Sequence, residues 1–447
     1  MTTIFMASLG CAKNLVDAET MLGETLGDEF SLALDPASAD VIIINTCGFI
    51  EDARAEAREV IREYLAYKKR SRGKTRVVAA GCWAQRDPEE LMREFPQLDA
   101  VWGLDIPSSL GDAISALKGP ANIDGIGWRE APREGARLLT TLPSFAYLRI
   151  SDGCDNRCHY CAIPLIRGGL RSRQPEAVVE EARILEEQGA SELVLISQDT
   201  TVYGRDLGLP GVGLAPLLES LLRAVSVPRL RILYAHPAHL DDRVMDMLLT
   251  EPRLCGYLDL PIQHISDNVL RRMGRGYGRD RVMEIVDKLA GGGVTLRTTI
   301  LAGFPGETED DFRHVLDMVS AGYFRQLGAF AYSPEPGTPA YTMDEQVPAE
   351  TAARRRDAVL SAQAPVAFAW LDSRVGREEA ILVDSSPEPG WLAGRSIHEA
   401  PDADGVIYVK SRVGHPGDIV TACIKQRDGY DLIAETAAAG ERRKRRR

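Results

Sequence analysis

Apolar and polar positions follow three rhythms along the chain, and the changes of rhythm divide it. Up to residue 118, short apolar runs (4–8, 41–44 and 77–80) each precede a stretch with helical spacing of apolar positions (15–26, 50–67 and 88–95). Short apolar strands separated by amphipathic helices predict a parallel α/β sheet for residues 1–118. Residues 119–143 carry Gly and Pro without a sustained period and are expected to form a linker. Between 144 and 373, six apolar runs recur (145–150, 193–196, 230–234, 257–262, 296–301 and 327–332), each followed by a helical pattern. That repeat predicts a partial (βα)6 barrel, with its active loops at the carboxyl ends of the strands. From 374 to 437 the runs are short (380–383, 394–397, 406–409, 419–424 and 430–434) and separated by Gly, Pro and Asp turns, as in a small five-stranded β-barrel. The last ten residues, 438–447, include five Arg and one Lys and read as a solvated basic tail.

The cysteines change this picture most. Cys154, Cys158 and Cys161 stand at C-x3-C-x2-C, directly after the first barrel strand. Three thiolates converging there can hold an inorganic centre. A structural zinc site wants four N or S ligands in a closed tetrahedron, and His159 as the fourth would crowd the turn. A disulfide framework suits small secreted chains, which this is not. An iron–sulfur cluster fits better, because three thiolates on a [4Fe-4S] cube leave one iron open. Cys11, Cys47 and Cys82 also each follow a predicted strand. In an open parallel sheet, ligands gather outside the carboxyl ends of strands. Each could be a small packing residue, but the repeated placement favours a second cluster, again with an open iron. Cys255 and Cys423 are isolated and read as packing residues.

Polar residues at other strand ends are further candidates: Gln198 and Asp199 after the second barrel strand, His236 after the third, Gln263 and His264 after the fourth, and Gly303 to Glu307 after the fifth. They could line a ligand-holding mouth, or simply cap loops and permit turns. Arg167, Arg171 and Arg173 place three guanidiniums within seven residues, able to clamp a carboxylate or to form a solvated basic loop.

Charge narrows the partners. The 447 residues carry a net charge of −12, which argues against a general nucleic-acid binder and suits a basic protein partner. Residues 374–437 hold seven Lys or Arg against eleven Asp or Glu, so the small barrel is a poor RNA clamp. No run reaches the roughly 18 apolar residues of a membrane helix and no secretion signal opens the chain, so no membrane partner and a cytoplasmic location are expected.

Tyr160 before the third cysteine gives the loop the form found in radical S-adenosylmethionine enzymes. More broadly, the chain resembles the methylthiotransferases of that superfamily from about residue 3 to 437. The resemblance rests on Ser8-Leu9-Gly10-Cys11-Ala12-Lys13-Asn14-Leu15-Val16-Asp17, Asn45-Thr46-Cys47-Gly48-Phe49-Ile50, Ile150-Ser151-Asp152-Gly153-Cys154-Asp155-Asn156-Arg157-Cys158 and Pro261-Ile262-Gln263-His264. Within the superfamily it is closest to the RimO-type branch; Ala12 stands where that branch usually has proline, away from any ligand. The resemblance implies a radical barrel followed by a TRAM domain. It also implies a [4Fe-4S] cluster on Cys154, Cys158 and Cys161 that cleaves S-adenosylmethionine, and an auxiliary [4Fe-4S] cluster on Cys11, Cys47 and Cys82. Gln198, Asp199, Gln263, His264, Arg171 and Arg173 would contact S-adenosylmethionine. The implied reaction puts a methylthio group on the β-carbon of an aspartate in small-subunit ribosomal protein twelve, with an external electron donor and a sulfur donor. Methylthiolation of a transfer-RNA adenosine is the alternative, disfavoured by the acidic final domain. A non-catalytic iron–sulfur carrier is the alternative from another class.

Overall fold

The computed structural model describes residues 1–25, 29–105, 110–117, 121–128, 136–141, 143–411 and 413–436. In chain order the first strands are β1 (Thr2–Ser8), β2 (Phe30–Leu32), β3 (Val41–Thr46), β4 (Arg76–Gly81), β5 (Ala100–Trp102) and β6 (Asn122–Asp124). Next come β7 (Phe145–Arg149), the short β8 (Ser151–Asp152) and β9 (Arg171–Ser172), then β10 (Glu192–Ile196), β11 (Arg229–Ile232), β12 (Leu254–Asp259), β13 (Thr295–Ala302) and β14 (Gln326–Ala331). The last five are β15 (Glu378–Glu388), β16 (Trp391–Arg395), β17 (Ile407–Lys410), β18 (Ile419–Asp428) and β19 (Asp431–Thr436). The chain forms two compact units.

The first unit comprises Met1–Thr140, Ser151–Arg173 and Ser333–Tyr341. Its sheet is parallel throughout, in the order β2-β1-β3-β4-β5-β6. Strand period two sends alternate residues to opposite faces. Ile43, Val78, Ala80 and Trp102 therefore pack with Ala18 and Leu22 of the helix Ala12–Gly23. On the other face Ile42, Ile44, Val77, Ala79 and Val101 meet Ala57 and Ile61 of the helix Glu51–Arg70. Covering both faces explains why these strands read as unbroken apolar runs. The sheet has three strands that the rhythm does not announce: β2, β5 and β6. β6 lies in the stretch 119–143 expected as a linker; its residues are half or fully exposed, so no burial pattern marks it. The rest of that stretch is described only at residues 121–128, 136–141 and 143, and the basic tail 438–447 lies outside the described residues. The returning segment Ser333–Tyr341 is fastened by Glu335, whose buried carboxylate accepts from Arg54 at 2.8 Å, Arg86 at 2.9 Å and the Glu51 N–H at 3.0 Å.

The second unit comprises Thr141–Ile150, Gln174–Tyr332 and Thr342–Arg447. Its parallel sheet runs β14-β13-β12-β11-β10-β7, the six expected barrel strands in sequence order, and it is open between β7 and β14. β15-β16-β17-β19-β18 closes into the expected small barrel. The helix Ala349–Asp372, the helical pattern that follows the sixth run, leads from one to the other, and its Leu371 enters the small barrel's core. That barrel seals the amino ends of the sheet strands. Glu192, the first residue of β10, receives hydrogen bonds from Arg231 at 2.7 Å and Arg395 at 3.2 Å, and Arg395 also binds Asp384. Tyr147 and Tyr257 donate to Asp402 and Asp404 at 2.9 and 2.7 Å. The carboxyl ends, where Gln198 and Gln263 stand, are left for chemistry.

Candidate functional site

All six cysteines of the two predicted trios fall in the first unit. Cys11, Cys47 and Cys82 follow β1, β3 and β4, three adjacent strands. Gly10 has φ +93°, and a Cβ on it would lie 2.8 Å from Cys47 Cβ and 3.3 Å from Cys47 Sγ, so only glycine lets these strand ends approach. Asn14 ties them together. Its Nδ2 donates to Leu9 O (3.0 Å) and Thr46 O (3.1 Å), its carbonyl accepts from Asn45 (2.6 Å), and its Oδ1 accepts from the Cys82 thiol (3.2 Å). Beside it lies Arg167, 2% exposed, whose guanidinium donates to Cys82 Sγ, Asn14, Asp17 and Asp152.

The thiols are unlike one another. Burial pushes Cys82 up to about 12, although Arg167 pulls it down. Burial also raises Cys47, against the N–H of Phe49. Cys11 has an exposed face; crowding by protein on its other sides would raise it, but Lys13, Arg167 and two backbone N–H groups hold it below the usual thiol value. Since the thiolate is the nucleophile, metal-free protein treated with iodoacetamide at about pH 8 is expected to alkylate Cys11 at least about 100-fold faster than Cys82. Peptide mass spectrometry reads this directly, and equal rates would contradict the charge pattern.

The second trio lies on a loop closed by the β8–β9 ribbon, where Ser151 pairs with Ser172 and Asp152 with Arg171. Gly153 has φ +72°, and a Cβ there would come within 1.9 Å of Gly169 O, so the loop closes only around glycine. The Cys154 N–H donates to Gly168 O (3.0 Å) and the Cys161 N–H to Cys158 O (3.1 Å), while the Ile163 N–H points at Cys161 Sγ from 3.5 Å. Cys82 packs with Ala162 and Ile166, just beyond this loop. The donor chemistry fits an iron–sulfur cluster at each trio. Each offers three soft sulfurs with N–H groups or a fixed cation at hand, in a cradle that a Cβ would fill. The remaining cysteines, Cys255 and Cys423, sit in β12 and β18 of the other unit.

The predicted arginines divide. Arg171 donates to the carbonyls of Arg167 and Gly169 and stands 3.7 Å from Asp152, and Arg173 is buried. Neither they nor Arg167 form a freely solvated loop. Sequence reasoning missed Asn14 and Arg167 as partners of Cys82, and Asp17 as the partner of Arg167. The signal was the polar pair Asn14 and Asp17 inside the first turns of an otherwise core-facing helix.

In the second unit, Gln198 and Asp199 follow β10. Asp199 caps the turn Thr200–Val202 and accepts from His239 Nδ1 at 2.9 Å if that nitrogen carries the proton. Asp199, His236 and His239 bring one ligand atom each within 4.8 Å of one another. They read as a hydrogen-bonded cluster and not a cation cage. Burial and then Arg275 push His236 down to about 2, and its Nδ1 already accepts the Ala238 N–H. Gln263 is held at φ +66° by backbone bonds to Thr299 and Leu301, both 2.8 Å. A left-handed non-glycine so firmly fixed marks a position where side-chain direction matters. His264 has no exposed surface. Burial lowers it to about 3 and its Nδ1 accepts the Ser266 N–H, so it holds the turn from beneath.

A parallel βα sheet and a three-cysteine loop after its first strand define the radical S-adenosylmethionine class. Comparison with known families agrees: the Radical SAM superfamily matches residues 148–319, the uncharacterized protein family UPF0004 residues 3–103, and the TRAM domain residues 375–437. The ribosomal protein uS12 methylthiotransferase RimO of Anaeromyxobacter sp. (strain Fw109-5) is 40% identical, covering 100% of this chain and 95% of that protein. The RimO of Geobacter sulfurreducens is 41% identical, covering 97% and 98%. The chain belongs to the RimO family. Among solved structures, the fold is similar to the radical S-adenosylmethionine methyltransferase TsrM of Kitasatospora setae (TM-score 0.55, 17% identity, 76% of this chain and 77% of that one). It is also similar to the cobalamin-dependent S-adenosylmethionine radical enzyme OxsB (TM-score 0.51, 14% identity, 81% and 56%).

Proposed function

We propose that this radical S-adenosylmethionine methylthiotransferase modifies ribosomal protein uS12, placing a methylthio group on the β-carbon of an aspartate. The observation that carries this reading is the pairing of two three-thiol sites in one compact unit of a chain about 40% identical to RimO proteins along nearly its whole length. Cys154, Cys158 and Cys161 would hold one [4Fe-4S] cluster and Cys11, Cys47 and Cys82 another. When bound, the clusters and S-adenosylmethionine supply the hydrogen-abstracting radical and the methylthio group. The protein's own residues hold and tune. Three thiolates at each trio leave one coordination position open, Asn14 fixes the strand ends, and Arg167 keeps a positive charge against Cys82. Gln198, Asp199, Gln263, His264, Arg171 and Arg173 are the proposed contacts of S-adenosylmethionine. An electron donor and a sulfur donor act from outside. No helix among the described residues is long and apolar enough to cross a membrane, which accords with work on ribosomal protein in the cytoplasm. The net charge of −12 favours encounter with a basic protein.

The test is anaerobically reconstituted, reduced protein incubated with S-adenosylmethionine, sulfide and either uS12 or transfer RNA. The expected result is a gain of about 46 Da on an aspartate of uS12, the mass of CH3S replacing H. Modified RNA beside unmodified protein would move the assignment to the nucleic-acid relatives. Intact S-adenosylmethionine under every condition would leave only a carrier.

A further inference from the structure

We propose that Arg167 sets the reduction potential of the cluster on Cys11, Cys47 and Cys82, through its hydrogen bond to the Cys82 sulfur, and that Asp17 tempers it. The inference rests on the reading of that trio as a cluster site. Nη2 of Arg167 stands 3.3 Å from Cys82 Sγ, 2.9 Å from Asn14 Oδ1 and 2.6 Å from Asp17 Oδ2, while Nη1 is 3.2 and 3.4 Å from the two oxygens of Asp152. All these groups belong to the first unit. A planar fork can hold the sulfur, Asn14 and Asp17 from one nitrogen and Asp152 from the other; an ammonium lacks that second nitrogen.

One-electron reduction of a cluster adds one negative charge and, with an external donor supplying the electron, breaks no bond. A buried cation and an N–H aimed at a coordinating sulfur both stabilise that added charge, so they raise the potential. Asp17 works against the cation, and Arg171 takes up part of Asp152 at 3.7 Å. The placement has a second side. Arg167 closes the helix Ile163–Arg167, and the next carbonyl, that of Gly168, accepts the Cys154 N–H. The turn that shapes the loop of one trio thus delivers the charge that bears on the other. Arg167 is a positioning residue: it acts on the cluster through a ligand.

The experiment uses the full chain carrying Cys154→Ala, Cys158→Ala and Cys161→Ala together, so that only the auxiliary cluster reports. It is loaded anaerobically with iron and sulfide and titrated with dithionite and mediators under electron paramagnetic resonance. Arg167→Gln is expected to move the midpoint to a more negative value, Arg167→Lys to an intermediate one, and Asp17→Asn to a more positive value. Opposite signs are the signature, since loosening of the site would not reverse with the charge removed. Shifts of the same sign, or none, would overturn the proposal. Should Arg167→Gln fail to fold, the sign for Asp17→Asn still decides, because Asp17 keeps partial solvent access. Iron and sulfide contents near zero in the triple cysteine variant would refute the cluster reading itself.

Discussion

Cys154→Ala is expected to abolish both 5′-deoxyadenosine formation and methylthio transfer, by at least about three orders of magnitude, because no side chain can replace a radical source. An unactivated C–H is too weak an acid for any general base here, so the chemistry has no slower path within the protein. Cys47→Ala is expected to differ. It should keep 5′-deoxyadenosine formation within about fivefold while abolishing methylthio transfer, and iron content should fall from about eight to about four per chain. Cys47 suits this separation better than Cys82, whose sulfur touches Arg167 and packs on Ala162 and Ile166 beside the other trio. Chromatography of the nucleoside product and mass spectrometry of uS12 read the two steps independently. Methylthio transfer by Cys47→Ala would show that the second trio is not needed.

The second large effect is on stability. Glu192 is fully buried, with Arg231 at 2.7 Å, Arg395 at 3.2 Å and Arg229 at 3.9 Å. Removing the carboxylate leaves buried guanidiniums without compensation, so Glu192→Ala is expected to destabilise the second unit by about 3–5 kcal/mol. Glu180→Ala, in an exposed pair with Arg183, should cost less than about 0.5 kcal/mol. The comparison is made by urea midpoint. Burial alone would raise the Glu192 carboxyl, but Arg231 and Arg395 pull it from the ordinary 4.5 to about 2. That fall corresponds to roughly 3 kcal/mol. Because the folded value is the lower one, this stabilisation is complete above the ordinary value of 4.5 and disappears as pH falls through about 2. The wild type should therefore lose stability in that window, and the variant should lose much less. An unchanged acid profile in the variant would remove Glu192 from the account.

Among the strands that the sequence announces, β3, β10 and β11 are buried at every residue, whereas β5, just as buried, has only three residues and is too short to show a run. β14 is announced by its apolar residues although most of them are only half-buried. β6 left no trace, because three half- or fully exposed edge residues need no pattern. The six cysteines were legible for a different reason: thiols at fixed spacing, or repeated after strands, need a chemical explanation. The surroundings of the thiols were not. Arg167 lies 85 residues from Cys82, and the sequence alone does not distinguish a buried guanidinium from a solvated one. His264 stands at a strand end as a contact residue would, yet the turn covers it completely.

The first unit is assembled from three separate stretches, and the last, Ser333–Tyr341, brings Glu335 to Arg54 and Arg86. On the ribosome, therefore, the amino-terminal sheet emerges long before the carboxylate its two buried arginines require. The loop with Cys154, Cys158 and Cys161 is likewise synthesised before that fastening. The first unit therefore has all its parts only once residue 341 has been made.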